Sequence, residues 1–331
     1  MRIAQVITLF LPDFVGGATL ACAALAHGLR ARGHEVSVFC GRPHGDATPY
    51  EDSAWDADGL PVTGVNAAPG YAALDPRSYR HPEIAPAFAR FLDRTRPDVV
   101  HFHSIQALGG NLLEIAAARR VPIVVTMHDW WWWCARMFLV DQHGFVCPAR
   151  VASERCHCAP GFDLVERRTY LAAMLAHADR VLTPSRFLAD AAIANGVPPG
   201  RVAVCPNGVD RPGRRGERHP GPIRFGYFGG PDHRLKGLPV LLAAADCLDC
   251  GGFELALYVG TETRRQGLAR RLVDRVGYAL TIPLTIDDRV RLRPAFKPAA
   301  LAVISFALTW ASLGLIQLFG RGEQAQVAGG H

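Results

Sequence analysis

Among the 331 residues of this chain, three histidines and a pair of glycines have the types and spacing that could do chemistry. His128 and Asp129 follow an apolar run, PIVVTM at 122–127. If that run is a parallel strand, both residues stand at the sheet's carboxyl edge, where open α/β sheets take their ligands. A histidine so placed can donate to a hydroxyl or to charge building on a departing group. His101 and His103 alternate within DVVHFH, which puts both on one strand face. Packing or hydrogen bonding is the first role expected of them, and acceptor contact by His103 the second. Gly16 and Gly17 lie between an apolar run and an Ala-rich stretch. Glycines there let backbone N–H groups and a helix N-terminus approach a diphosphate, although any tight turn between strand and helix also tolerates them. Hydride transfer is disfavoured, because DFVGGATLACA lacks the third glycine of a dinucleotide fingerprint. Lys236, in RLKG, supplies a compact ammonium suited to the same anion, and Arg234 is a candidate second charge.

Two further clusters stand close to His128. Cys134, Cys147, Cys156 and Cys158 form C-x12-C-x8-C-x-C in an aperiodic stretch at 130–160. Four thiolates in a loop with little core of its own fit a structural tetrahedral zinc site. The spacing matches no common zinc signature, so packed free thiols stand as an equal reading. Trp130 to Trp133 are four consecutive indoles. Trp130 and Trp131 are candidates to stack against an acceptor sugar or to meet a membrane interface. Consecutive residues cannot all point one way, so part of the run must be core.

The elements that would position these residues follow from periodicity. Apolar runs at 3–10, 34–40, 98–103, 122–127, 180–183 and 202–205 read as buried strands, and stretches at 18–31, 112–120 and 187–194 read as helices between them. Gly33 closes the first helix and Ser185 caps the helix at 187. Strands alternating with helices at this spacing call for a doubly wound parallel sheet over 1–210. The segment 211–222, RPGRRGERHPGP, has no apolar side chain able to pack and reads as a linker. The alternation then restarts, with strands at 223–228 and 253–259 around a helix at 238–248, giving a short second α/β domain over 223–297.

Composition excludes several classes. With 49% hydrophobic and 20% charged residues, the chain is too apolar to be disordered. The formal charge of +6 arises after Asp210, with basic residues scattered among apolar runs. A nucleic-acid binder would need a dense basic face with stacking aromatics. A phosphate-bearing small molecule or an anionic membrane surface is the better partner. The opening MRIAQVITLF reads as a strand and not as an export signal, which makes a reducing cytoplasm the expected setting. Residues 298–320 form an uncharged 23-residue run of membrane-spanning length. It reads either as an anchor at the cytoplasmic face or as the product of a frame change or truncation.

GGA at 16–18, HFHS at 101–104, TMHD at 126–129, TPSRF at 183–187, PNGVD at 206–210 and FGYFGGPDHRLKG at 225–237 together resemble GT-B glycosyltransferases of the family-4 type, over roughly residues 1–260. The resemblance implies two Rossmann-like domains, the first mainly holding the acceptor and the second mainly holding a nucleotide sugar, with the reaction in the cleft between them. It implies transfer with retention to a hydroxyl of a glycan or lipid-linked acceptor, and it sets His128 beside the donor sugar. No catalytic metal is expected, since Lys236, Arg234 and helix N-termini can meet the diphosphate charge. The family's late glutamate pair, E-x7-E, is missing: after Glu262 the only glutamate is Glu323, and Glu254 with Glu262 falls in a strand pattern. Two other readings therefore stand beside the transferase. One is a catalytically incomplete remnant that binds an acceptor or a partner; the other is a nucleotide-sugar 2-epimerase, which would turn over without acceptor.

Overall fold

The computed structural model describes residues 1–14, 16–43, 47–71, 75–140, 147, 163–208, 223–227, 236–246, 253–258, 279–281 and 289–293. Arg234, Cys156, Cys158, the linker 211–222 and the run 298–320 lie outside these residues. The chain divides into two compact units, Met1–Gly213 and Arg214–His331.

The first unit is built on an eight-stranded sheet ordered β3-β4-β2-β1-β5-β6-β7-β8. Its strands are β1 (Arg2–Leu9), β2 (Glu35–Arg42), β3 (Asp52–Ala57), β4 (Leu60–Asn66), β5 (Val99–Phe102), β6 (Ile123–Thr126), β7 (Arg180–Thr183) and β8 (Val202–Val204). All neighbours are parallel except β3 and β4. Those two form an antiparallel hairpin at the edge, a departure from the expected all-parallel sheet. Its cause is local. Asp58 and Gly59 both have positive φ, 52° and 82°, as a two-residue hairpin loop requires, and the Gly59 N–H donates to Asp56 Oδ1 at 2.6 Å.

The winding reverses between β1 and β5. From β1 the chain passes through helix α1 (Gly17–Ala31) to β2 on one side, then returns to lay β5 on the other and proceeds outward to β8. Such a reversal opens a crevice at the carboxyl ends of the two strands. Gly33 follows α1 at φ 85°, and its N–H donates to the Arg30 carbonyl at 2.8 Å, so it ends the helix as its sequence position required.

The two faces of the sheet are covered unequally. Helices α2 (Ala85–Thr95), α3 (Asn111–Ala118), α4 (Leu164–Leu175) and α5 (Arg186–Ala194) share one core with Val6, Phe39, Val100, Phe102 and Val125. Among the described helices of this unit, α1 alone packs on the other face, over Ile3, Ile7, Val36 and Val38.

In the second unit, β9 (Ile223–Tyr227) and β10 (Phe253–Tyr258) are parallel and connected through helix α6 (Leu238–Asp246), as the restart of the alternation implied. Strand β12 (Arg289–Arg293) lies antiparallel between β10 and β11 (Ala279–Thr281), giving a mixed four-stranded sheet. Among the described residues no helix is long and apolar enough to cross a membrane.

Candidate active site

Parallel strands buried on both sides are usually apolar throughout. Here β5 and β6 are apolar on the side of α2 and α3 but mixed on the side of α1, where Val99 and Val124 give way to His101 and Thr126 toward the carboxyl ends. On that side His103 Nε2 lies 2.7 Å from Gln5 Oε1, His103 Nδ1 lies 3.0 Å from His128 Nε2, and His101 Nε2 lies 2.7 Å from Thr126 Oγ1. The rings of His101 and His103 stack at 4.3 Å, and those of His103 and His128 at 5.3 Å. Burial keeps the row neutral: it pulls His101 and His128 down to about 4 and His103 well below the usual histidine range. His103 is 2% exposed, whereas His128 is half-buried and borders a groove of about 500 Å³. Ala21 and Leu25 of α1 line that groove, together with His101, His103, His128 and Asn207.

His128 and Asp129 are adjacent in sequence but serve different neighbours. Asp129 does not line the groove. Its Oδ1 accepts from the Trp131 N–H at 2.8 Å, and burial pushes its carboxyl up to about 6 against the opposing pull of that N–H and of Arg167. Arg167 is fully buried on α4, donates to the Trp131 carbonyl, and lies over the rings of Trp131 at 5.5 Å and Tyr79 at 5.6 Å. Loss of solvation pulls its guanidinium down to about 10, which still leaves it cationic at neutral pH.

The tryptophan run divides as consecutive residues must. Trp131 and Trp132 are core, at 3% and 4% exposure, so Trp131 has no free ring face for an acceptor sugar. Trp130 is half-buried, edge-on to Trp133 at 5.9 Å and to Phe187 at 5.8 Å. Cys134 and Cys147 are half-buried free thiols. Among the described residues no group of three or more His, Cys, Asp or Glu is arranged to hold a metal ion.

Gly16 precedes α1 in an extended conformation, with no side chain capping the helix. A Cβ on Gly16 would lie 2.5 Å from the Phe14 ring, whereas one on Gly17 would meet nothing within 4 Å. Crowding therefore accounts for the first glycine only, and the backbone at the second is open. The turn before them is pinned from β2 and β3. Arg42 pairs with Asp13 at 2.8 Å, donates to Ser53 Oγ at 3.0 Å and covers the Trp55 ring at 5.0 Å, while Trp55 Nε1 donates to the Leu11 carbonyl at 2.9 Å. Ser185 Oγ accepts from the Leu188 N–H at 3.3 Å, the capping role its position suggested. In the second unit Lys236 is exposed in the turn that leads through Gly237, at φ 75°, into α6.

Sequence reasoning passed over Gln5, Thr126 and Arg167. The signal for Gln5 was present, since an amide inside the apolar strand RIAQVITL needs a partner. Nothing local in the helix marked Arg167 as buried.

An imidazole row thus stands at the switch point of a parallel sheet, next to a helix opened by glycine, which is where open α/β sheets generally take their ligands. The model of Glycosyltransferase Family 4 matches residues 15–211, more than half of the chain, and the chain belongs to that family. No curated protein matches it. Among solved structures it is similar to Anabaena Alr3699/HepE in complex with UDP and glucose, at 15% identity over 84% of this chain and 66% of that one, TM-score 0.50. It is also similar to OtsA in its apo form, at 14% identity over 83% and 70% of the two chains, TM-score 0.50. A third is described as trehalose-6-phosphate from E. coli bound with UDP-2-fluoro glucose, at 13% identity over 84% and 71%, TM-score 0.51. At such identities the likeness shows the fold, which is of GT-B type. The chain spans less than two thirds of the length of HepE.

Proposed function

We propose that this chain is a retaining glycosyltransferase that moves a sugar from a nucleoside diphosphate sugar to a hydroxyl of a glycan or lipid-linked acceptor. The observation that carries the reading is the position of His128, neutral and half-buried at the carboxyl edge of β6, in a chain of this family. In the transfer the acceptor oxygen bonds to the anomeric carbon while the bond from that carbon to the diphosphate oxygen breaks. The departing oxygen keeps the electron pair and takes up the acceptor's proton. His128 contacts the donor sugar, and backbone N–H groups at Gly16 and Gly17 meet the diphosphate, with the approach open at Gly17. Lys236 supplies the ammonium and Arg234 a second charge, so that no catalytic metal enters the proposal. Trp130 is the stacking candidate on the acceptor side. Asp129 holds the tryptophan turn. HepE and the E. coli structure were solved with UDP and with UDP-2-fluoro glucose, which supports uridine donors as the first to test.

Isothermal titration with UDP- and GDP-sugars, followed by transfer assays, tests the reading. One donor should bind, and His128→Ala should lower transfer about a hundredfold with an unchanged thermal midpoint. Unchanged turnover in that variant overturns the role given to His128. The second reading, an acceptor- or partner-binding remnant, would be selected by the absence of heat with any nucleotide sugar.

A further inference from the structure

The hydrogen bonds of the imidazole row have a direction, and it is set at its far end. In the row as it stands Gln5 presents Oε1 to His103 Nε2 at 2.7 Å, with Gln5 fully buried and His103 at 2% exposure. An amide oxygen can only accept, so His103 carries its proton on Nε2. A neutral imidazole has one such proton, which leaves His103 Nδ1 bare. The 3.0 Å contact from that nitrogen to His128 Nε2 must then take its proton from His128. His128 in turn is protonated on Nε2 and bare on Nδ1. Gln5 Nε2 is buried without a hydrogen-bond partner among the described residues, so the order of protons along the row rests on Oε1 being the atom that faces His103. Turning the amide over would reverse every proton along the row.

We infer that Gln5 and His103 are positioning residues that hold His128 in its Nε2–H tautomer, so that His128 meets its ligand through Nδ1 as a hydrogen-bond acceptor. A bare nitrogen at the groove selects a group that brings its own proton. A sugar hydroxyl fits, and a phosphate oxygen or a carbonyl does not. This assigns the contact to a hydroxyl of the bound sugar and rests on the transferase reading only for the identity of that ligand. The row needs burial as well as geometry. An imidazole able to take a second proton would donate from both nitrogens and lose the direction.

Two-bond 15N–1H correlation spectra of protein labelled with 15N-histidine read the tautomer directly, with the His128 signals assigned by their loss in His128→Ala. A protonated Nε2 and a bare Nδ1 are expected, and a protonated Nδ1 overturns the inference. Gln5→Leu removes the acceptor that directs the row. It should give mixed tautomers at His128 and lower kcat/KM for the donor sugar about tenfold, while the affinity for free UDP stays unchanged. Gln5→Glu keeps an acceptor oxygen and should keep the Nε2–H signal. Unaltered His128 signals in Gln5→Leu also overturn the inference. If that variant does not fold, the wild-type spectrum alone decides. Should the tautomer be as stated while no nucleotide sugar binds or is turned over, the transferase reading fails and the hydrogen-bond row stands.

Discussion

On one side of β5 and β6, Val100, Phe102, Val125 and Met127 pack into the larger core; on the other, His101, His103, Thr126 and His128 bond to one another and to Gln5. The same two strands thus serve two purposes through a period of two. The apolar side is held by area removed from water, which needs no direction. The polar side is held by hydrogen bonds that each need a partner and a proton in the right place.

Three measurements would break or sharpen this contrast. The largest effect is expected on the apolar side. Phe102 is fully buried against Phe88 at 6.0 Å, and Phe102→Ala should cost about 3–5 kcal/mol in urea unfolding. A cost under about 1 kcal/mol would put both sides on an equal footing.

The polar side should instead show itself through pH. In the unfolded chain the histidines titrate near 6.5, while in the folded chain His101 and His128 do so near 4 and His103 lower still. Between these values the unfolded state binds protons that the folded state refuses. The contribution is therefore intact above pH 6.5 and lost as the pH falls toward 4. Asp129 acts in the opposite sense, since its folded carboxyl holds a proton up to about 6, but one carboxyl stands against three imidazoles. Thermal midpoints should fall from pH 7 to pH 5, and a flat or rising profile would contradict the neutral row.

The smallest effect belongs to His101→Val. It exchanges one hydrogen bond to Thr126 for apolar packing, so stability at pH 7 should stay within about 1 kcal/mol of wild type. The acid slope should nonetheless become shallower. A full wild-type slope in this variant would show that His101 is not one of the buried titrating groups.

Most of the first unit's sheet was legible in the sequence because its strands are short apolar runs separated by glycine turns and Ala-rich helices. The edge hairpin was not read, although Asp58-Gly59 carries its turn chemistry, because DSAWDA has little of the apolar character of a strand. His128 and Asp129 were legible as an edge pair. Their separation was not, since it depends on Arg167, 38 residues further along the chain than Asp129 (167 − 129) and brought in by α4 packing. Likewise the four indoles announce a mixed role, but only tertiary packing decides that Trp131 and Trp132 go inward.

The brace from Arg42 and Trp55 onto Asp13 and Leu11 has a consequence for affinity. It immobilises the backbone just ahead of α1 when the protein folds. An anion binding at Gly17 as proposed would then meet amides already aimed, with little ordering entropy left to lose on association. Weak binding there would point to the charge and shape of the ligand, and not to slack in the chain that receives it.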